Sequence, residues 1–170
     1  PCIKAEMIFF QALGKEMKHS RTQANNARKA LEAEIDNDDE LYELGRLIGR
    51  VTTAVLLSFH LDPRKYDCSR SLQKAMGLNL KEKSSGRFVG QLKLTKRGSS
   101  KARQYLYFAA LRLIQNDPVV KECYTSKMNS KAKNKTVIAV MRKLSKALWH
   151  VARGQRFDAN RLFSVPIKVA

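Results

Sequence analysis

The sequence is short of cysteine, of histidine and above all of acids, and each shortage closes off a class of protein. Its three cysteines, Cys2, Cys68 and Cys123, stand far apart, and an odd, widely spaced set is no disulfide framework. The histidines, His19, His60 and His150, lie near none of them, so no zinc-ligand spacing is present. The longest apolar run, Val51 to Leu57, carries two threonines and falls far below the ~20 residues of a membrane-spanning helix. No membrane partner is expected. No signal-peptide pattern opens the chain, which starts at Pro1 without Met; the expectation is a fragment cut from a longer protein. Carboxylates are the decisive shortage: 15 Asp and Glu stand against 33 Lys and Arg, for a net charge of +18 and a pI near 10.1. A chain of that charge attracts polyanions, nucleic acid first and an anionic membrane surface second.

What is present is enough to fold. With 170 residues, 44% of them hydrophobic, the chain is long enough for one packed domain plus an appendage. The charge is uneven. Residues 1–50 are nearly neutral at −1, whereas residues 81–170 carry +17 of the +18. No carboxylate interrupts eight Lys/Arg between Glu82 and Asp117, or nine between Glu122 and Asp158. A charge run is usually a solvated face, but acid-free stretches of that length exceed what solubility needs and point to nucleic-acid binding.

Alternate steps of four and three from Ile3 reach Met7, Phe10, Gly14, Met17, Arg21, Ala24, Arg28, Leu31 and Ile35. This imperfect heptad seam, weakest in its middle, predicts a coiled-coil arm over residues 1–36. The polar stretch His19 to Asn26 leaves two forms open, one straight helix or a turn between two antiparallel ones. Asn37, Asp38 and Asp39 end the arm and offer caps to the next helix.

Residues 37–170 predict a compact, mainly α-helical, basic domain. Helices are expected at Asp38–Leu47, Val51–Leu61, Ser69–Met76, Ser100–Gln115, Pro118–Met128 and Lys135–Arg153. Gly45 and Gly49 are expected to bracket a tight turn, giving a helix-hairpin-helix-like element over Leu47 to Ala54 whose amides would grip a DNA phosphate; a plain interhelical turn is the alternative. Asp62-Pro63 breaks the chain, and residues 78–98 read as a loop with a small hairpin. In the last long helix, Val137, Met141, Leu144, Leu148 and Val151 recur at core spacing.

Several segments can carry chemistry. Arg142, Lys146, His150 and Arg153 share another face of the last helix, a phosphate-tracking surface or an ordinary solvated one. Trp149 beside them reads as core. Lys96-Arg97-Gly98-Ser99-Ser100-Lys101, followed by Arg103, opens a helix whose first-turn amides and flanking cations suit a phosphate; Ser99 or Ser100 would cap it. Lys81-Glu82-Lys83-Ser84-Ser85-Gly86-Arg87 is locally a turn motif. The chemistry it permits is nucleophilic attack on a phosphodiester, with Lys83 and Arg87 stabilising the developing charge. No histidine sits nearby as a base.

Read in order, Ile48 to Ala54, Asp62-Pro63-Arg64-Lys65-Tyr66, Leu72 to Leu78, Ser84-Ser85-Gly86, Leu94 to Gly98 and Leu106 to Ala110 resemble one transposase family's C-terminal domain. It is the IS-one-ten family, with IS-one-sixteen and IS-nine-oh-two, related to Piv-type DNA invertases. The likeness runs from about Leu44 to Phe163 and takes in Trp149 and Arg153 to Asp158. It implies an N-terminal RuvC-like domain with four acidic metal ligands, a coiled-coil linker, and this helical domain bearing a nucleophilic serine. Serine and acidic site would cooperate across a dimer or tetramer through a covalent protein–DNA intermediate, in some members guided by a structured RNA. The serine corresponds to Ser85, with Ser84 its alternative.

This chain departs from the family at two places. Arg46-Leu47-Ile48-Gly49 stands where the family has a Pro-Gly-x-Gly hairpin, and Phe59-His60-Leu61 replaces a more acidic stretch. Asp36, Asp38 and Asp39 do not have the wide spacing of the metal ligands. No cofactor is therefore expected in this chain, with Mg²⁺ confined to the RuvC-like domain, and the location implied is the bacterial or archaeal cytoplasm, at the nucleoid. The chain alone is expected to bind DNA or RNA without cutting it. The competing reading is a non-enzymatic basic helical binding protein.

Overall fold

A computed structural model describes residues 2–82, 90, 92–129 and 132–163, with side chains from residue 6 onward. Helix α1 (Cys2–Asp36) runs without a break through His19 to Asn26, so of the two forms left open the single straight helix is the one adopted. At 1.5 Å per residue it is about 50 Å long. Met7, Phe10, Met17 and Leu31 of the seam stay exposed, and among its described side chains only Ile35, 3% exposed, enters the core.

Asp38 caps α2 (Asp39–Ile48), its carboxylate accepting from the Glu40 and Leu41 amides, both at 3.1 Å. The expected turn between Gly45 and Gly49 is not formed. Gly45 is helical and buried in α2, and Gly49 alone links α2 to α3 (Arg50–Ser58). A φ of +90° at Gly49 reverses the chain in one residue while its N–H still bonds the Gly45 carbonyl at 2.9 Å. Few side chains tolerate that φ. Helix α3 also stops three residues before Leu61, because His60 takes a left-handed φ of 55° ahead of Asp62-Pro63, where the missing proline N–H blocks further helix.

A short 3₁₀ turn (Pro63–Lys65) leads to α4 (Ser69–Ala75), then strands β1 (Leu80–Lys81) and β2 (Lys93–Leu94), paired antiparallel with Leu80 opposite Leu94 and Lys81 opposite Lys93. Helices α5 (Ser100–Asn116), α6 (Pro118–Met128), α7 (Lys133–Val151) and α8 (Ala159–Phe163) complete the body. Ser99 caps α5 and Asp117 caps α6, with Pro118 in the first turn where a proline costs no hydrogen bond.

Helix α7 is the central element, packed against α2, α4, α5, α6 and α8. All five of its expected core residues are 4% exposed or less, and Thr136, Val140 and Ser145 join them. Burying each Leu or Val side chain there contributes roughly 1.5–3 kcal/mol. Two buried polar side chains share one acceptor: Gln73 Nε2 and Ser145 Oγ both donate to the Arg142 carbonyl, at 2.7 and 2.8 Å. Trp149 is a structural residue, donating through Nε1 to the Tyr66 carbonyl at 2.8 Å. That bond holds the 3₁₀ turn against α7.

Candidate nucleic-acid interface

The hairpin leaves the body where two backbone segments cross. Helix α4 ends in a glycine C-cap: Leu78 N–H reaches the Gln73 carbonyl at 2.9 Å and Gly77 N–H the Lys74 carbonyl at 3.0 Å. Gly77 and Gly98 both have positive φ, 68° and 106°. A Cβ on Gly77 would overlap the Arg97 backbone, and one on Gly98 the Ala75 carbonyl. Only glycine permits this approach. Lys96 N–H bonds the Gly77 carbonyl at 3.1 Å, Thr95 N–H bonds the Asn79 carbonyl at 3.0 Å, and the Thr95 hydroxyl bonds Asn79 Oδ1. The hairpin root is thus held by backbone contacts on both strands. Lys83, Ser84, Ser85 and Arg87, at the centre of the expected chemistry, lie outside the described residues.

Against this root is a cavity of about 580 Å³, bordered by Lys74, Asn79, Leu80, Lys81, Thr95 and Arg97. Among the described residues no carboxylate lines it. Of the candidates read from the sequence, Arg97 reaches it. Lys74 is not among those candidates, and Lys81 figures there only in the serine motif, because the segment returning from the hairpin reaches the end of α4 only through the Gly77–Gly98 crossing. The paired glycines were the one available signal. Lys96 and Lys101 are exposed beside the root. Arg103 holds the loop in place, its Nη1 donating to the Gly98 carbonyl at 3.0 Å and the Met76 carbonyl at 3.4 Å. The Ser99 hydroxyl takes the Ala102 amide, so the helix start expected to cradle phosphate is partly capped by its own serine.

The second candidate surface, on α7, divides into two kinds of residue. Lys146 and His150 are exposed. Arg153 is exposed too, but its guanidinium lies 3.8 Å from the centre of the Trp149 ring and donates to the Tyr66, Trp149 and Pro63 carbonyls at 2.6, 3.0 and 3.2 Å. Arg142 is half-buried, and its Nε has no partner among the described residues. Lys143, overlooked in the sequence, donates to the Leu162 carbonyl at 2.7 Å. Burial, followed by neighbouring Lys127, pulls its pKa below the ordinary lysine value.

Residues 47–125 match the profile of the transposase IS116/IS110/IS902 family. This stretch is a domain of that transposase family. It spans the end of α2 through most of α6 and contains the hairpin and its cavity. The match is narrower than the Leu44 to Phe163 expected from the motifs, and α7 lies beyond it. No curated protein matches the chain.

Within and beside the transposase domain, the carboxylates serve the scaffold. Asp36 accepts from Arg50 Nε at 2.7 Å, and Arg64 bridges Asp62 at 3.0 Å and Asp38 at 2.8 Å. The Leu41 amide, then Arg64, holds Asp38 below the usual carboxylate range. Burial opposes ionisation of Asp62, but hydrogen bonds from the Arg64 side chain and backbone outweigh it and lower that pKa too. Committed in this way, Asp36, Asp38 and Asp62 do not fit a Mg²⁺ site. Among the described residues no three His, Cys, Asp or Glu side chains group as a metal site, and no helix is long and apolar enough to cross a membrane.

Proposed function

We propose that the chain is the serine-bearing C-terminal part of a transposase, which binds DNA and delivers Ser85, or its neighbour Ser84, to a phosphodiester. One observation carries this reading beyond the family match. The segment holding both serines leaves the body at the hairpin root, whose adjoining recess is lined by Lys74, Lys81 and Arg97 with Glu82 outside its lining. In the step proposed, the serine Oγ–P bond forms and the phosphorus–deoxyribose oxygen bond breaks. The serine proton ends on the departing oxygen, and Lys83 and Arg87 offset the charge of the transition state. Mg²⁺ chemistry belongs to a RuvC-like partner domain with which this chain forms a composite site. The arm pairs copies into a dimer or tetramer, and a structured guide RNA is a second polyanion suited to the same basic surfaces.

Ser85→Ala in the full-length protein tests the reading. It is expected to abolish recombination and the covalent DNA adduct while leaving DNA affinity intact; unchanged recombination refutes Ser85 as nucleophile and transfers the test to Ser84→Ala. The chain alone is expected to bind DNA without cutting it. Strand cleavage by this chain with Mg²⁺ would contradict the composite site.

A further inference from the structure

We propose that the cavity at the hairpin root is a pocket for one unpaired nucleotide, its phosphate held by Lys74, Lys81 and Arg97 and its base or sugar seated on Ala75 and Leu80. The proposal rests on the chain being a nucleic-acid binder and adds which form of nucleic acid it selects. Its first support is chemical. Lys74, Lys81 and Arg97 border the space and no carboxylate does, and among the described residues no hydrogen bond or ion pair engages their side-chain nitrogens. Asn79, which also borders the space, has its Oδ1 occupied by the Thr95 hydroxyl, leaving its amide N–H groups as its remaining polar capacity. A site made of donors selects a ligand rich in acceptors and negative charge, as a phosphodiester is.

Size and shape decide what accompanies the phosphate. The recess is open to solvent on one side, and at about 580 Å³ a lone phosphate would leave most of it empty. Ala75, Leu80 and Gly98 supply apolar surface between the cations. Arg97 offers a guanidinium plane of the kind on which bases stack. The walls are preorganised by the Gly77–Gly98 crossing and the bonds from Lys96 and Thr95 to the facing strand. A base inside a duplex cannot enter such a recess without leaving its stack, which costs a few kcal/mol for a paired base and least for an unpaired one. The pocket therefore favours a bulged or displaced nucleotide over continuous duplex. The pocket lies at the hairpin root, where the chain continues from Lys81 and Glu82 into residue 83.

The experiment compares this chain's affinity for a DNA duplex with one unpaired nucleotide against the same duplex fully paired. The bulged duplex should bind about tenfold tighter, equivalent to about 1.4 kcal/mol of avoided unstacking. Ala75→Phe fills the recess without changing charge and should remove the preference while keeping affinity for paired duplex. Lys74→Glu, at an exposed position that leaves the fold undisturbed, should weaken the bulged complex more than the paired one; Lys146→Glu on α7 should weaken both alike. Equal affinity of the wild-type chain for the two duplexes overturns the pocket and leaves the DNA-binding reading standing. Failure to bind either duplex overturns both. Retention of the full preference by Lys74→Glu overturns the pocket even if Ala75→Phe does not fold.

Discussion

Gly98 and Gly14 show that one residue type has two opposite effects here. At Gly98 an alanine would meet both a φ of +106° and the Ala75 carbonyl. Gly98→Ala should therefore lower stability by about 1–3 kcal/mol or more, seen as a fall in the urea midpoint, and it should also distort the hairpin root. At Gly14, within α1, nothing lies within 4 Å of a new Cβ. Gly14→Ala should raise the helicity of the arm by circular dichroism, with a gain of about 1 kcal/mol in local helix stability. The Asp38–Arg64–Asp62 group makes a pH prediction. Both carboxyls are depressed in the folded protein, so their contribution is fully present above the unfolded carboxylate pKa of about 3.9. It is lost as pH falls through their lower folded values. Stability measured from pH 6 downward should decline in that acid range, and Asp62→Asn should flatten the decline.

At the scale of elements, α7 and α1 behave in opposite ways. Helix α7 is wrapped by five others, and Leu144, fully buried, is expected to cost about 2–5 kcal/mol on mutation to alanine. Arg153→Ala should act on stability as well, because its guanidinium lies on Trp149 and clamps the Tyr66 carbonyl. A cation over a tryptophan face contributes about 0.5–2 kcal/mol. Helix α1 presents Phe9 and Phe10 to solvent at 63% and 67% exposure, a pattern suited to helix pairing. Met7→Gln with Phe10→Gln should shift sedimentation toward a monomer without changing the body's melting temperature. An unchanged sedimentation coefficient would remove the arm from the assembly.

For the whole molecule, the +18 charge separates into a scaffold role and a surface role. Arg50, Arg64 and Arg153 are tied to carboxylates or carbonyls, whereas Lys74, Lys81, Arg97 and Lys146 face solvent. DNA affinity should fall steeply with salt, by about 0.9 in the log–log slope for each phosphate neutralised. Lys146→Ala should reduce that slope by about one, and Arg153→Ala should leave it nearly unchanged at temperatures where the variant is folded.

Local pattern was sufficient for most of the helices, the caps at Asp38 and Ser99, the α7 core face, the positive charge and the order of motifs that marks the transposase domain. Each of these depends on residues a few positions apart, or on summed charge, and such interactions are written in the sequence itself. Which cations meet at the hairpin root, and which arginines are occupied by the scaffold, depended on long-range contacts. Lys74 and Arg97 are 23 positions apart in the chain and share a cavity because Gly77 and Gly98 let two backbones cross. Tyr66 and Arg153 meet because α4 and the 3₁₀ turn pack on α7. Side-chain type determined that this surface would be positive. Only the packing of distant segments decided where that charge is free to hold a ligand.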